Sequence, residues 1–112
     1  MTIESLKAYG ANTNEGLTRC MNNKSFYLRM VSMALADKNF DKLKAAMEAK
    51  DAHAVFEAAH ALKGSIGNVA LTPIYKPVCA LTELMRGKDE LASGSKELLG
   101  QIMEQREKAL ML

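Results

Sequence analysis

The sequence predicts an all-α domain, an up-and-down four-helix bundle with short additional helices at its N-terminus. Three observations lead there. Hydrophobic residues make up 48% of the chain but aromatic residues only 5%, and eight Met with many Ala and Leu favour helix over strand. Only two Pro and seven Gly interrupt the 112 residues. Apolar side chains recur at spacings of three and four in segment after segment, with short polar breaks between, as antiparallel helices require. A chain of this length is expected to form one domain over residues 1–112, with a core that needs no disulfide or metal.

In order, a first short helix from about Thr2 to Ala8 should stop at Gly10 and the polar Asn12-Thr13-Asn14 cluster. A second, from about Glu15 to Met21, runs into Asn22 and Asn23, which suit a cap for the third helix. That third helix carries Phe26, Met30, Val31, Ala34 and Leu35 at helical spacing, and Asp37 to Asn39 is a break. Phe40, Leu43, Ala46 and Met47 mark the fourth, ending near Lys50. Asp51 is the expected N-cap of a long helix from Ala52 to about Val69. Thr72 and Pro73 read as the N-cap and first turn of the next, which ends near Arg86 and Gly87 with Pro77 kinking its first turns. The last helix has Leu91, Leu98, Ile102, Ala109 and Leu110 as its main apolar positions, with Ser93-Gly94-Ser95 a weak point near its start.

The net charge of +2 is small and spread out, without a run of basic residues or basic–aromatic interleaving, so nucleic acid is not an expected partner. Cys20 and Cys79 lack partner spacing and read as ordinary buried or half-buried side chains in a reducing compartment. No stretch approaches membrane-spanning length and the first residues lack the apolar run of a signal peptide, so the expectation is a cytoplasmic protein. No helix shows a sustained heptad seam, which makes a monomer the default. The initial Met and the first helix lean toward a free-standing protein.

On a wheel of about 100° per residue, Val55, Ala58, Leu62, Ile66 and Val69 fall within an arc of about 80°. That is a core stripe, and His60 lies almost opposite its centre. Its outer-face neighbours are His53, Phe56, Glu57, Lys63, Gly64 and Gly67. Each of the two glycines costs about 1 kcal/mol relative to Ala inside a helix. On the outer face no core crowding asks for them, so both read as clearing space for another protein to approach one imidazole. Lys63, one turn along, supplies a cation for an incoming anion. An outward His with a nearby Lys and a bare Gly suits an exposed, transferable phosphoryl group.

The run His60-Ala61-Leu62-Lys63-Gly64, after Ala59 and before Ser65, resembles the H-x-L-K-G signature of the histidine phosphotransfer domains of bacterial two-component phosphorelays. Asn39 to Asp51 resembles the helix and acidic turn before the signature helix in that family, and Asn68 to Leu81 the turn and returning helix after it. The likeness covers about Phe26 to Arg86. There are departures: Ala70 stands where many members place a Gly, Pro77 is unusual in the returning helix, and Thr82 replaces a frequent Glu.

The resemblance implies a phosphocarrier rather than an enzyme with its own substrate. His60 would take a phosphoryl group from the aspartyl phosphate of a response-regulator receiver domain, in some systems part of a hybrid sensor histidine kinase, and pass it to another receiver. Lys63 would stabilise the phosphate charge. Phe56, Gly64 and Gly67 would form the docking surface, with Glu57 and His53 at its rim, although Phe56 could instead fold under a neighbouring helix. No cofactor or metal is expected on this chain. Mg²⁺ would belong to the receiver, because the helix offers no carboxylate cluster. The Glu57-x-x-His60 pair also matches a di-iron bundle, but there is one copy, it faces out, and Lys63 would repel a cation. His53 and His60 could hold zinc only weakly without further ligands. The different class of function that remains is a non-catalytic adaptor that binds receiver or kinase domains without carrying phosphate, and the presence of His60 argues against it. No Gly-rich nucleotide loop or nucleophile–base pair suggests a kinase.

Overall fold

The computed structural model describes residues 1–112, all of them either helical or in short connections. Seven helices succeed one another: α1 (Ile3–Tyr9), α2 (Thr13–Arg19), α3 (Lys24–Leu35), α4 (Asn39–Glu48), α5 (Ala52–Asn68), α6 (Thr72–Met85) and α7 (Ser95–Leu110). Helices α4 to α7 close a four-membered ring, each packed on the next and α7 meeting α4, while α3 packs on both α5 and α7.

Local chemistry sets most boundaries. Thr2 and Ser5 form a reciprocal capping box on α1, and Gly10, at φ +112°, ends it in the left-handed conformation that glycine adopts without a Cβ penalty. Asn12, Asn23 and Asp51 each accept from a backbone N–H three residues on, which starts α2, α3 and α5. Asn12, expected to belong to a stop, therefore starts α2 two residues earlier than the sequence suggests. Thr72 does not cap α6. It is the first helical residue, with Leu71 at the cap position, and its hydroxyl turns back to the Ala70 carbonyl. Helix α6 continues across Pro77, whose missing N–H deprives only the Pro73 carbonyl of its usual donor near the helix start. Gly94, at φ +93°, delays α7 to Ser95, so Leu91 precedes the helix instead of lying in it. Leu110 at its far end is exposed.

One cluster of 25 buried residues forms the core, with Tyr27, Phe40, Leu62, Ile66, Ile74, Leu81, Met85 and Ile102 among its largest members. The methionines divide: Met47 and Met85 are core, whereas Met21, Met33 and Met111 are exposed. Cys20 is buried and Cys79 half-buried. The N-terminal segment is tied to the bundle through polar groups. The Tyr9 hydroxyl donates to the Gln105 carbonyl at 2.8 Å, and burial pushes its pKa up to about 12. Arg106 stacks over Phe40 at 4.5 Å and donates to the Leu35 carbonyl at 2.9 Å.

The end of α5 draws three such ties from outside the helix. The carbonyls of Gly67, Val69 and Ala70 accept from Arg19 (3.0 Å), the buried Tyr27 hydroxyl (2.8 Å) and the Asn12 N–H (3.0 Å). The carbonyls of Gly67 and Ala70 also accept from the Ala70 and Thr72 N–H groups, whereas that of Val69, past the last helical donor, is met by Tyr27. Further back on α5, the Ser65 hydroxyl donates to Asp37 at 2.8 Å, joining α5 to the α3–α4 turn.

Two of these features carry consequences for stability. Ala70, which stands where the family often has Gly, adopts φ +56°. A left-handed Ala is strained by about 1–2 kcal/mol, partly offset in a Gly variant by added unfolded-state entropy. Ala70→Gly should therefore gain about 0.5–1 kcal/mol in denaturant unfolding. Burial alone would raise the Asp37 carboxyl, but hydrogen bonds from the Asn39 N–H, the Ser65 hydroxyl and the Asn39 amide, aided by Lys42, hold it below the usual carboxylate range. An acid whose folded pKa is depressed contributes stability above its unfolded pKa of about 3.9 and loses it as pH falls through the folded value. Asp37→Ala should thus be less stable than wild type by about 1 kcal/mol at neutral pH, with the gap shrinking below about pH 4.

Candidate functional site

Helix α5 divides its surface as its apolar period requires. Val55, Ala58, Leu62, Ile66 and Val69 are buried, together with Ala52 and Ala59 on the edges of the same face. His60 projects from the opposite side and is exposed. The Phe56 ring, one turn earlier, stacks on its imidazole with centroids 5.7 Å apart and planes 12° from parallel. Phe56 is half-buried, so both readings of it hold in part. The Arg86 guanidinium from the end of α6 lies 5.2 Å from the centre of the Phe56 ring. Arg86 is itself held by Glu83 through two hydrogen bonds of 2.9 and 3.3 Å. Arg86 beside Glu83 holds that carboxyl below the usual range, with Lys63 and His60 adding smaller attractions, so α6 places a carboxylate within electrostatic reach of both.

On the other side of His60 lies an open cleft of about 450 Å³, lined mainly by residues of polar type. Helix α5 contributes His60, Lys63, Gly64, Gly67 and Asn68 to it, α6 contributes Thr72 and Tyr75, and α2 contributes Glu15 and Arg19. His60, Lys63, Gly64 and Gly67 thus share one space. Lys63 is half-buried, its stem packed on the protein beside the cleft.

The two glycines differ. A Cβ built on Gly64 would meet nothing within 4 Å, whereas one on Gly67 would come 2.9 Å from the Tyr75 ring. Gly64 is therefore bare toward solvent beside His60. Gly67 is small because α6 packs an aromatic ring against it, so the expectation of empty outer space there is corrected. The wheel showed Gly67 to be off the core stripe but could not show which neighbouring helix covers that side.

Two other expected residues lie away from the cleft. Glu57 faces the groove between α4 and α5, with Asn39 and Lys42. His53 is exposed and sits 3.2 Å from Asp89 in the α6–α7 connection. It is seven residues before His60, about 10 Å along the helix axis. No group of three or more His, Cys, Asp or Glu is assembled for a metal ion. No helix is long and apolar enough to cross a membrane.

Arg19, Glu15, Tyr75, Glu83 and Arg86 were not singled out from the sequence. Glu15 and Arg19, like Glu83 and Arg86, have the short spacing of a helical ion pair, and that spacing was the only available signal. Such pairs are common on solvated faces. Their position beside His60 arises from a contact 48 residues distant in the chain for Arg19 and from the return path of α6 for Arg86. Thr82, where the family often carries Glu, is fully buried and donates to the Val78 carbonyl at 2.8 Å, so the acid on the site side of α6 is Glu83.

A family model described as Hpt domain matches residues 29–110. Helices α1 and α2 lie outside the matched residues. No curated protein and no solved structure gives a significant match.

The contrast between the glycines can be measured without any partner. Gly64→Ala should stabilise the fold by about 0.5–1 kcal/mol, the helical propensity difference. Gly67→Ala must displace the Tyr75 ring, and it should fall below the Gly64 variant by about 1 kcal/mol or more in denaturant unfolding.

Proposed function

This chain belongs to the Hpt domain family, whose members carry phosphoryl groups in two-component systems, and we propose that His60 is its phosphoryl acceptor and donor. The observation that carries this reading is the exposed imidazole opposite the buried stripe of α5, with the bare Gly64 one turn away. A phosphoryl transfer between two proteins needs the phosphorus to reach a nitrogen in line with its leaving oxygen, and bulk beside the imidazole would prevent that approach.

In this reading a receiver domain presents its aspartyl phosphate to His60. The Nε2 lone pair attacks phosphorus, the N–P bond forms, and the bond from phosphorus to the acyl oxygen breaks to leave an aspartate carboxylate. The imidazole keeps its Nδ1 proton. Transfer to a second receiver runs the same exchange in reverse, with a carboxylate oxygen as the nucleophile. His suits both directions because its ring nitrogen is a competent nucleophile and, once phosphorylated, a good leaving group.

Lys63 lies one turn from His60 in the same cleft and offsets charge on the transferring oxygens. Phe56 restricts rotation of the imidazole by lying parallel to it, and Arg86 covers Phe56 in turn. The divalent cation of the reaction is placed on the receiver. Docking would then centre on His60, Phe56 and Gly64, with Gly67 contributing through its backbone and through Tyr75. Glu57 and His53 remain at the margins. The chain turns over no substrate of its own in this account, and partners are receiver domains, alone or within a hybrid kinase.

Incubation with a small-molecule phosphoramidate, read by intact mass with acid and alkali controls, tests the assignment. Wild type should gain one acid-labile, alkali-stable phosphoryl group, and His60→Gln should gain none while keeping its helical spectrum. Equal uptake by His60→Gln would overturn the choice of residue. Lys63→Ala should slow exchange with a phosphorylated receiver by about tenfold, equivalent to about 1.4 kcal/mol of transition-state stabilisation.

A further inference from the structure

We propose that Arg19, held in place by Glu15 and the Gly67 carbonyl, is a specificity-determining residue that selects which receiver domains exchange phosphate with His60. The proposal rests on His60 being a phosphocarrier and adds to it a contact from outside the family-matched residues. The match starts at residue 29, yet α2 supplies one wall of the cleft that contains His60.

The geometry favours recognition over a purely structural tie. The Arg19 guanidinium donates to the Gly67 carbonyl at 3.0 Å and to Glu15 at 2.6 Å, and its side chain is still 47% exposed. Of its five N–H donors those two contacts use two, so the fork remains open to a third partner. An arginine already held at both ends loses little rotational freedom when that partner binds, which is how pre-organised contacts gain affinity. Glu15 precedes Arg19 by four residues, the favourable orientation for a helical pair.

Position decides whether a receiver could avoid this residue. Gly67 is seven residues beyond His60, about 10 Å along the helix axis. A stable interface covers about 800 Å² on each partner, a patch of about 16 Å radius if circular. A receiver centred on His60 therefore covers Arg19 as well. The partner chemistry that fits the open guanidinium is a carboxylate, which pairs with it through parallel hydrogen bonds. A receiver with a carboxylate at that distance from its phosphorylation site would be favoured, and one with a Lys or Arg there would have to compete with Arg19 for Glu15. Lys63 and the phosphoryl group act on every receiver alike, whereas Arg19 can discriminate among them.

The test uses the full chain, loaded with phosphate by phosphoramidate, and a panel of purified receiver domains with Mg²⁺ as acceptors. Transfer from wild type, Arg19→Gln and Arg19→Glu is compared as kcat and KM at low and high salt. Arg19→Gln removes the charge and, being two bonds shorter, the reach to the Gly67 carbonyl as well, and thermal melts confirm that each variant is folded at the assay temperature. For the fastest wild-type acceptors, Arg19→Gln should lose about tenfold in kcat/KM, mostly through KM, and Arg19→Glu more, with a flatter salt dependence and a changed order of preference across the panel. A merely structural tie would leave the preference order and the salt dependence unchanged. Folded variants that match wild type with every receiver would overturn the role of Arg19 while leaving His60 as carrier. Wild type that neither loads from phosphoramidate nor exchanges with any receiver would overturn the carrier reading, and this proposal with it.

Discussion

Helix α5 has to bury one side and expose the other, and the remaining helices are arranged by that division. Val55, Leu62 and Ile66 are fully buried and Val69 nearly so. Each such side chain contributes about 1.5–3 kcal/mol when removed from water, which no single helix can realise alone. Helices α4, α6 and α3 pack directly on α5, and α7 closes the ring between α6 and α4. The same packing holds α5 so that His60 cannot turn inward. Exposure of the histidine is thus not a separate feature added to the fold. It is the far side of the stripe that α5 buries in the core.

The C-terminal end of α5 needs a different kind of support. Its last carbonyls point toward the turn into α6 without helical donors, and a left-handed Ala70 comes next. Tyr27 supplies the donor for the Val69 carbonyl, and Arg19 and Asn12 add second donors to the carbonyls of Gly67 and Ala70, all from the N-terminal part of the chain. A cation at a helix C-terminus is also electrostatically favourable. Helices α1 and α2 are each only seven residues long and would be marginal in isolation. The buried Leu6 and the Tyr9 bond to α7 hold α1 in place, and Arg19 ties α2 to the end of α5, which brings a wall of the His60 cleft from residues so early in the sequence.

In the proposed phosphocarrier reading, the site has three physical requirements to meet in one small area. An imidazole must be reachable, a cation must stand near it, and its ring must hold a direction. Gly64 serves the first by leaving open space, Lys63 the second from one turn away, and Phe56 with Arg86 the third through stacking. Glu83 anchors Arg86 and so keeps it over Phe56. The end of the helix that returns beside α5 thus reaches the imidazole through Phe56, although none of its residues belongs to the signature around His60.

How much of this could be read in advance depends on the range of the interaction involved. Period, caps and breaks are local, so the helical class, the start of α5 at Asp51, the buried stripe and the outward direction of His60 came from the order of residues alone. Lys63 and Gly64 could be placed beside His60 because helical geometry fixes neighbours three and four apart. The boundaries that shifted, at Asn12, Thr72 and Gly94, are places where several polar or flexible residues compete for one cap and packing selects among them. Gly64 and Gly67 look alike in sequence. Only the tertiary structure separates an open position from one filled by Tyr75, because the occupant arrives from another helix. Glu15 and Arg19 looked like an ordinary surface pair for the same reason. Side-chain direction along one helix is dictated by the sequence through backbone geometry, whereas the walls of the cleft were decided by chain segments brought together when the core closed.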